Sequence, residues 1–592
     1  MQKLVAILFL ALLAFTGFTR WQHLSEEPLI MTDGQGYYAY LPALFIYQDL
    51  QFSFVDSINQ TYYPEDKRAS FILETPTGNV NKYFAGTAVL QTPFFLAGCM
   101  FANIVGEPTD GYSWPFQMVV GLAALVYMLL GVYLLGQFLL GIGFKQAAVF
   151  LTLLLTLFGT NLLFYSIYEP SMSHAYSFFT ISAFLFYVDR ASKKDNGLSF
   201  CLAALFLGLT VLIRPTNGII VLAVPVVTSG FTGTWELLKR FFRDKKTALV
   251  SVIVLIAIVG LQPLSYLIQT GSPIVWSYGG EGFDFLNPEL YNVLFSYRKG
   301  LFIYCPALFL SLIGLAIGIV KNKGRFIWLT VFLIVTTWII ASWWMWYYGG
   351  SYGHRAFIEY YPFFAIGLAA IFNYCLDFVH PKWLVALVLF FVPIQLIQTY
   401  QYNKHIITFD NMTKAKYWNL FLRTGDDLAW YYSGYEGQDS YEGIDSLLIK
   451  HDFESDLGWG NESQLINDPI GEGRIAMMTA KDGYGPTLRK PVSEIGFELN
   501  NVRITGWVNS DSRYSDISFV CSLEDSTGAG YYWQKKPLRP QFDGTSNWSL
   551  ATSLFRCGTP RSPTDNFVIY PIKADGSEVL FDDLEISFIN AK

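Results

Sequence analysis

The sequence predicts a polytopic α-helical membrane protein of about eleven crossings, with an all-β, jelly-roll-like sandwich at its C-terminal end. Three observations carry this. Of 592 residues, 52% are hydrophobic and only 15% charged, against about 25% charged in soluble domains; mean hydropathy is +0.33. Apolar stretches close to the ~20 residues that a span needs recur along the first two thirds of the chain. From residue 401 onward, 18 Lys and Arg stand against 27 Asp and Glu, and short alternating runs replace the long apolar ones. Neither part carries the basic face that nucleic acid requires, which excludes that partner class.

The expected crossings are 3–19, 115–140, 147–167, 172–189, 198–213, 216–230, 247–268, 301–320, 326–342, 360–376 and 383–400. Alternate loops are basic: Arg190, Lys193 and Lys194; Lys239, Arg240, Arg243, Lys245 and Lys246; Lys321, Lys323 and Arg325. The positive-inside rule makes these loops cytoplasmic, with the N-terminus inside and the acidic tail outside. Residues 3–19 also have the charged start and apolar stretch of a signal peptide, but no small-x-small site follows them. The apolar stretch 84–106 contains Pro93 and several Gly and reads as a surface helix within a first outer loop of about 20–114.

On this topology the polar residues of the body gather on the outer side. The first outer loop begins Thr32-Asp33-Gly34-Gln35-Gly36-Tyr37-Tyr38. An acid just beyond a membrane helix, followed by aromatics, suits a base facing a sugar hydroxyl; the alternative is an Asp-Gly turn. Lys82-Tyr83 closes the loop, where Lys82 binds a lipid phosphate or snorkels to the interface. Glu169-Pro170 and His174 stand at the next outer junction, and Arg214-Pro215 at the one after; ionisable groups there are costly unless used. A further outer loop, 269–300, holds Glu281 and Arg298. The run Trp343-Trp344-Met345-Trp346-Tyr347-Tyr348-Gly349-Gly350-Ser351-Tyr352-Gly353-His354-Arg355 combines aromatic faces with a glycine turn that presents His354 and a guanidinium. Aromatics suit a sugar, and a fixed guanidinium suits a phosphate.

In order and topology these residues resemble the GT-C fold membrane glycosyltransferases, the class that includes protein O-mannosyltransferases and lipid A aminoarabinose transferases. The resemblance covers about residues 1–400 and rests on Asp33, Lys82-Tyr83, Glu169-Pro170, Arg214-Pro215 and Trp346-x-x-Gly349-Gly350-x-x-Gly353-x-Arg355. It implies an inverting transfer of a sugar from a polyprenyl-phosphate donor to a protein, lipid or glycan acceptor. Asp33 is then the catalytic base and Glu169 orients the acceptor or a cation. Lys82, Arg214 and Arg355 hold the leaving phosphate. Tyr37, Tyr38, Tyr83, His174, Glu281, Arg298, Trp346 and His354 complete the substrate site. One departure stands out: relatives often place a second acid directly after the first, whereas Gly34 follows Asp33. A Lys/Arg set around phosphate replaces a divalent ion, so the resemblance implies no required metal, with a divalent cation left open. The bacterial branch implies the inner membrane, with the tail in the periplasm and membrane lipids as surroundings. A flippase for a lipid-linked saccharide, or a non-catalytic assembly subunit, are the alternatives; the absence of repeats and of midplane charges disfavours the first.

Residues 401–450 read as a linker. From 451, alternating runs such as Val502–Val508 and Ile517–Cys521 between turn clusters predict a β-sandwich. It resembles jelly-roll carbohydrate-binding modules, some of which hold a structural Ca²⁺ near their paired ends, here near Glu454 and Asp582. Trp459, Trp507, Trp533 and Trp548 are either core or sugar-stacking. Cys521 and Cys557 form a disulfide candidate in an oxidising compartment.

Overall fold

The computed structural model describes residues 2–21, 24, 28–63, 68, 71–194, 196–408, 412–424, 443–451, 459–460, 465–467, 474–479, 484–495, 501–510, 517–537, 540–541, 548–556, 560–573 and 578–591. The chain divides into two units, Met1–Asp426 and Asp427–Lys592.

The first unit is a helical bundle. Among the described residues, six of its helices are long and apolar enough to cross a membrane: Gly86–Val105, Trp114–Gly141, Lys245–Thr270, Lys323–Ala341, Arg355–Cys375 and Pro381–Asn403. A seventh is reached if Pro215–Val227 and Phe231–Arg243, bent by 106°, count as one. Other expected crossings fall on helices that are shorter or more polar than this criterion asks. Gln146–Phe158, Gly197–Ile213 and Pro306–Lys321 are apolar helices of only 10–17 residues, and at 1.5 Å per residue they fall short of a ~30 Å hydrocarbon layer. His174–Lys193 has the length, but it carries buried His174, Ser177, Thr180, Ser182 and Asp189 and runs through the bundle interior. Gly86–Val105, expected on the surface, is a continuous helix through Pro93 that meets the length and composition of a span.

Close packing in the bundle depends on small residues, as it does wherever lipid removes the hydrophobic drive between helices. A Cβ on Gly314 would lie 1.8 Å from the carbonyl oxygen of Gly367, and one on Gly367 would lie 2.3 Å from Ser311 Oγ. Helix Phe309–Lys321 therefore touches helix Tyr361–Cys375 backbone to backbone.

The second unit is a β-sandwich. One antiparallel sheet runs in the order Gly530–Pro537, Ile517–Glu524, Asn566–Lys573, Thr487–Pro491, Trp459–Gly460. The other runs Pro540–Gln541, Trp548–Arg556, Asn501–Ser510, Val579–Ala591, Arg474–Met478, Leu465–Asn467. Val502, Ile504 and Val508 alternate inward, as a half-buried strand requires. Phe519 meets Phe581 and Phe567 meets Phe588, with ring centroids 5.9 and 5.6 Å apart. The stretch expected to be linker contributes a strand: Gly443–His451 pairs antiparallel with the last strand, from Leu584 to Ala591.

Gly314→Ala is expected to destabilise the bundle by about 1–3 kcal/mol, seen as a lower melting temperature of the detergent-solubilised chain. An unchanged melting temperature would show that the two helices separate freely.

Candidate functional site

The centre of the site is Asp33, the first residue of the short helix Asp33–Pro42. The dipole of a helix favours a negative charge at its N-terminus. Thr32, just before it, has φ of 53°, a costly conformation for a β-branched residue. The glycines explain why the helix lies where it does. A Cβ on Gly34 would be 2.0 Å from Ser171 Oγ, and one on Gly36 would be 2.3 Å from Tyr83 Cδ2. The helix is thus pressed against both the Glu169–Ser173 segment and Tyr83. No acid fits at position 34, which accounts for the departure from the two-acid pattern.

Tyr83 and Lys82 follow a two-stranded hairpin, Ile72–Thr75 with Gly78–Asn81. The fully buried Asn81 fixes them: its Nδ2 donates to Gly36 O at 2.7 Å and its Oδ1 accepts from Tyr83 N at 2.9 Å. Tyr40 OH donates to Tyr83 O at 2.8 Å. So held, Tyr83 OH donates to Asp33 Oδ1 at 2.7 Å. Lys82 Nζ pairs with Glu281 Oε1 at 2.6 Å and lies 5.4 Å from the Tyr278 ring centre. Tyr37 packs on Tyr83, with centroids 4.7 Å apart.

Arg355 enters from the far end of the sequence. Gly349 and Gly353 take φ of 67° and 58°, conformations that glycine adopts freely. The loop is tied on several sides: Asn161 Nδ2 donates to Tyr352 O, Tyr352 N donates to Tyr165 OH, and buried Lys299 Nζ donates to Ser351 O. Arg355 Nη2 then meets Asp33 Oδ2 at 2.8 Å. Its Nε is buried and has no hydrogen-bond partner among the described residues.

A second carboxylate, Glu359, escapes the sequence reading. It is 1% exposed, with Oε1 3.2 Å from Arg214 Nε and 3.3 Å from His174 Nδ1. Arg214 Nε also donates to Ser173 Oγ at 2.9 Å. The signal was available: Glu359 is one turn beyond Arg355 at the edge of an apolar stretch, where an acid needs a partner.

Burial would raise the pKa of Asp33, but the Arg355 guanidinium, the Tyr83 hydrogen bond and the more distant Arg214 and Lys82 bring it below its usual value. Glu169 behaves oppositely. Burial pushes its carboxyl up to about 7, against the attraction of Arg355 and Lys299 and with the repulsion of Asp33. The site therefore holds an ionised acid beside one that titrates near neutrality.

Several expected residues have other duties. Tyr38 is fully buried and donates its hydroxyl to Gly111 O at 2.5 Å, so its ring and oxygen are both used inside the core. His174 is also fully buried, facing Glu359 rather than open space. The His354 ring, 1% exposed, meets the Trp346 carbonyl at 3.0 Å and braces the loop. Arg298 lies over Tyr347, 3.5 Å from its ring centre, and 5.9 Å from that of Trp346. Among the described residues no group of three or more His, Cys, Asp or Glu side chains gathers as a metal site.

In the β unit, Cys521 is buried in strand Ile517–Glu524, while Cys557 and Glu454 lie outside the described residues. Trp533 is 58% exposed; its Nε1 donates to Tyr570 OH at 3.3 Å, and Tyr484 stands 6.2 Å from Tyr570. These three rings form an aromatic patch on one sheet.

The raised pKa of Glu169 has a consequence for stability. The folded chain holds this proton more tightly than an unfolded one, whose carboxyl titrates at about 4.3. The resulting stabilisation is complete below that value and is lost as pH rises through about 7. Relative to Glu169→Gln, the wild type should therefore lose melting temperature as pH rises from about 5 to about 8. Parallel profiles would assign the titration elsewhere.

No protein-family model matches the chain, and no curated protein matches it. Solved structures do. The archaeal oligosaccharyltransferase AglB from Archaeoglobus fulgidus, in complex with an inhibitory peptide and a dolichol-phosphate, is 12% identical over 66% of this chain and 55% of its own, with TM-score 0.36. Arabinosyltransferase EmbB from Mycobacterium smegmatis is 11% identical over 86% of this chain and 64% of its own, with TM-score 0.32. The CBM22-1 xylan-binding domain of Paenibacillus barcinonensis Xyn10C is 16% identical over 24% of this chain and 95% of its own, with TM-score 0.19.

Proposed function

We propose that this chain is an inverting glycosyltransferase that takes a sugar from a polyprenyl-phosphate donor and places it on a hydroxyl at the Asp33 end of the bundle. The observation that carries the reading is the state of Arg355. One edge of its guanidinium is on Asp33, while its buried Nε has no partner among the described residues. A buried, unmatched donor is costly, and a phosphate oxygen supplies the acceptor it lacks.

The chemistry follows from this placement. The acceptor oxygen bonds to the anomeric carbon as the bond from that carbon to the phosphate oxygen breaks. The acceptor's proton passes to Asp33, and the polyprenyl phosphate leaves with the electron pair. Arg355, Arg214 and Lys82 meet the charge that develops on the leaving group. At rest, Arg355 holds Asp33 ionised and weakly basic. A donor phosphate that draws Arg355 toward itself frees the carboxylate and raises its basicity as the substrate arrives. Glu169, titrating near neutrality, is suited to orient the acceptor by donating or accepting a hydrogen bond. Bacterial inner-membrane location, with the site facing the periplasm, belongs to the same reading.

Asp33→Asn is expected to lower transfer by about 10²–10⁴-fold while a polyprenyl-phosphate sugar co-purifies with it, seen by mass spectrometry of extracted lipids. Normal turnover in the variant would remove Asp33 from the base role. In the β unit, the Trp533 patch supports glycan binding by stacking. Trp533→Ala should abolish retardation of the full chain by the glycan ladder that retards the wild type in affinity electrophoresis. Unchanged retardation would leave that unit a scaffold.

A further inference from the structure

Helix His174–Lys193 has 20 residues and so measures about 30 Å. Its first turn faces the Asp33 site. Its last turn lines a separate cavity of about 330 Å³, whose polar walls include Asp189, Lys193, Thr228, Glu236, Arg240 and Arg325. Nothing in the proposed transfer uses this cavity.

The charges in it do not balance. Asp189 is matched by Lys193 at 2.6 Å and Glu236 by Lys239 at 2.8 Å. The two guanidiniums bond to neutral carbonyls. Arg240 Nη1 donates to Ser192 O at 2.7 Å. Arg325, 8% exposed, donates to Val226 O, Ile142 O and Val227 O. Asp189 attracts Arg325 and Glu236 attracts Arg240 without an ion-pair contact among the described residues, so the lining keeps three positive side chains, Lys193, Arg240 and Arg325, against two carboxylates.

The wall that carries Arg240 is helix Phe231–Arg243. It turns 106° from the preceding helical segment, through Ser229 and Gly230 at φ of 62° and 125°. The turn is fixed by contact, since a Cβ on Gly324 would be 2.4 Å from Ser229 O. Phe231, Trp235, Leu238 and Phe242 are spaced by four, three and four residues and so form one stripe. All four are exposed, at 67%, 52%, 40% and 66%. Leu237 is buried on the opposite side, where Gly233 and Arg240 line the cavity. An apolar stripe with Lys239 and Arg243 alongside it, on a helix set across the end of a bundle, is the pattern of a helix lying in a membrane interface.

We infer that this cavity binds the headgroup phosphate of an anionic phospholipid, with Arg240 and Arg325 as its counter-charges and the stripe of helix Phe231–Arg243 seated among the acyl chains. Charge complementarity selects the anion, and the adjoining apolar stripe selects a lipid over a soluble phosphate.

The test uses the full chain, purified in detergent and equilibrated with mixed micelles of phosphatidylglycerol and phosphatidylcholine, with retained lipid counted by native mass spectrometry. Phosphatidylglycerol should be retained about fivefold over phosphatidylcholine, and Arg240→Gln should reduce that retention about fivefold, as loss of one headgroup-facing charge implies. Lys246→Gln, an exposed charge outside the cavity, should leave it unchanged. Equal retention of the two lipids, or equal loss in both variants, would overturn the site. Displacement of phosphatidylglycerol by inorganic phosphate in solution would also overturn it, in favour of a soluble anion. Should Arg240→Gln fail to fold, the lipid preference and the phosphate challenge on the wild type decide the question alone.

Discussion

A carboxylate and a guanidinium that are 322 residues apart in sequence meet at 2.8 Å, and much of the bundle's architecture serves that meeting. Two charges in an apolar bundle are costly singly and tolerable only together. Asp33 must therefore begin its helix, Arg355 must leave its loop through two left-handed glycines, and Tyr83 must be pinned by Asn81. Glu359, Arg214 and His174 form a parallel arrangement one turn further along. The second group supports the first: it holds the segment that carries Arg355 against the helix that begins at His174.

Much of this was legible in the sequence because charged residues in an apolar chain are conspicuous. Asp33, Lys82, Glu169, Arg214 and Arg355 stand out at helix junctions with little else ionisable around them. Partnership was less legible. Tyr37 and Tyr38 are neighbours, yet a 100° step around the helix sends one against Tyr83 and the other to Gly111. Composition cannot supply that phase. Glu359 was missed because it falls at the very start of an apolar stretch, where an acid reads as a boundary. The number of crossings was less legible, because apolarity says that a segment is buried, and whether it is buried in lipid or in protein depends on length and neighbours. Helix His174–Lys193 shows the difference, since Ser177, Thr180 and Asp189 on it find partners within the protein.

In the β unit the residues themselves spoke through alternation, and the jelly-roll reading came from resemblance. Strand Asn501–Ser510 follows the period-2 rule and was visible. Strand Gly443–His451 lies just before the expected boundary and was absorbed into the linker. Pairing across the sheet, in which this strand joins the last one, comes from long-range register that no local pattern encodes.

Gly34 and Ser171 lie 137 positions apart and occupy one volume, with room for a side chain on only one of them. Ser171 also donates to Leu29 O at 2.8 Å, so its hydroxyl anchors the approach to Asp33. The two positions are free to drift only as a pair. An acid after Asp33 requires a smaller residue or a displaced segment at 171, and a serine at 171 requires glycine at 34. Within a lineage, therefore, a change from one acid to two at this helix start is a concerted step across two loops, and the intermediate carrying both side chains is sterically closed.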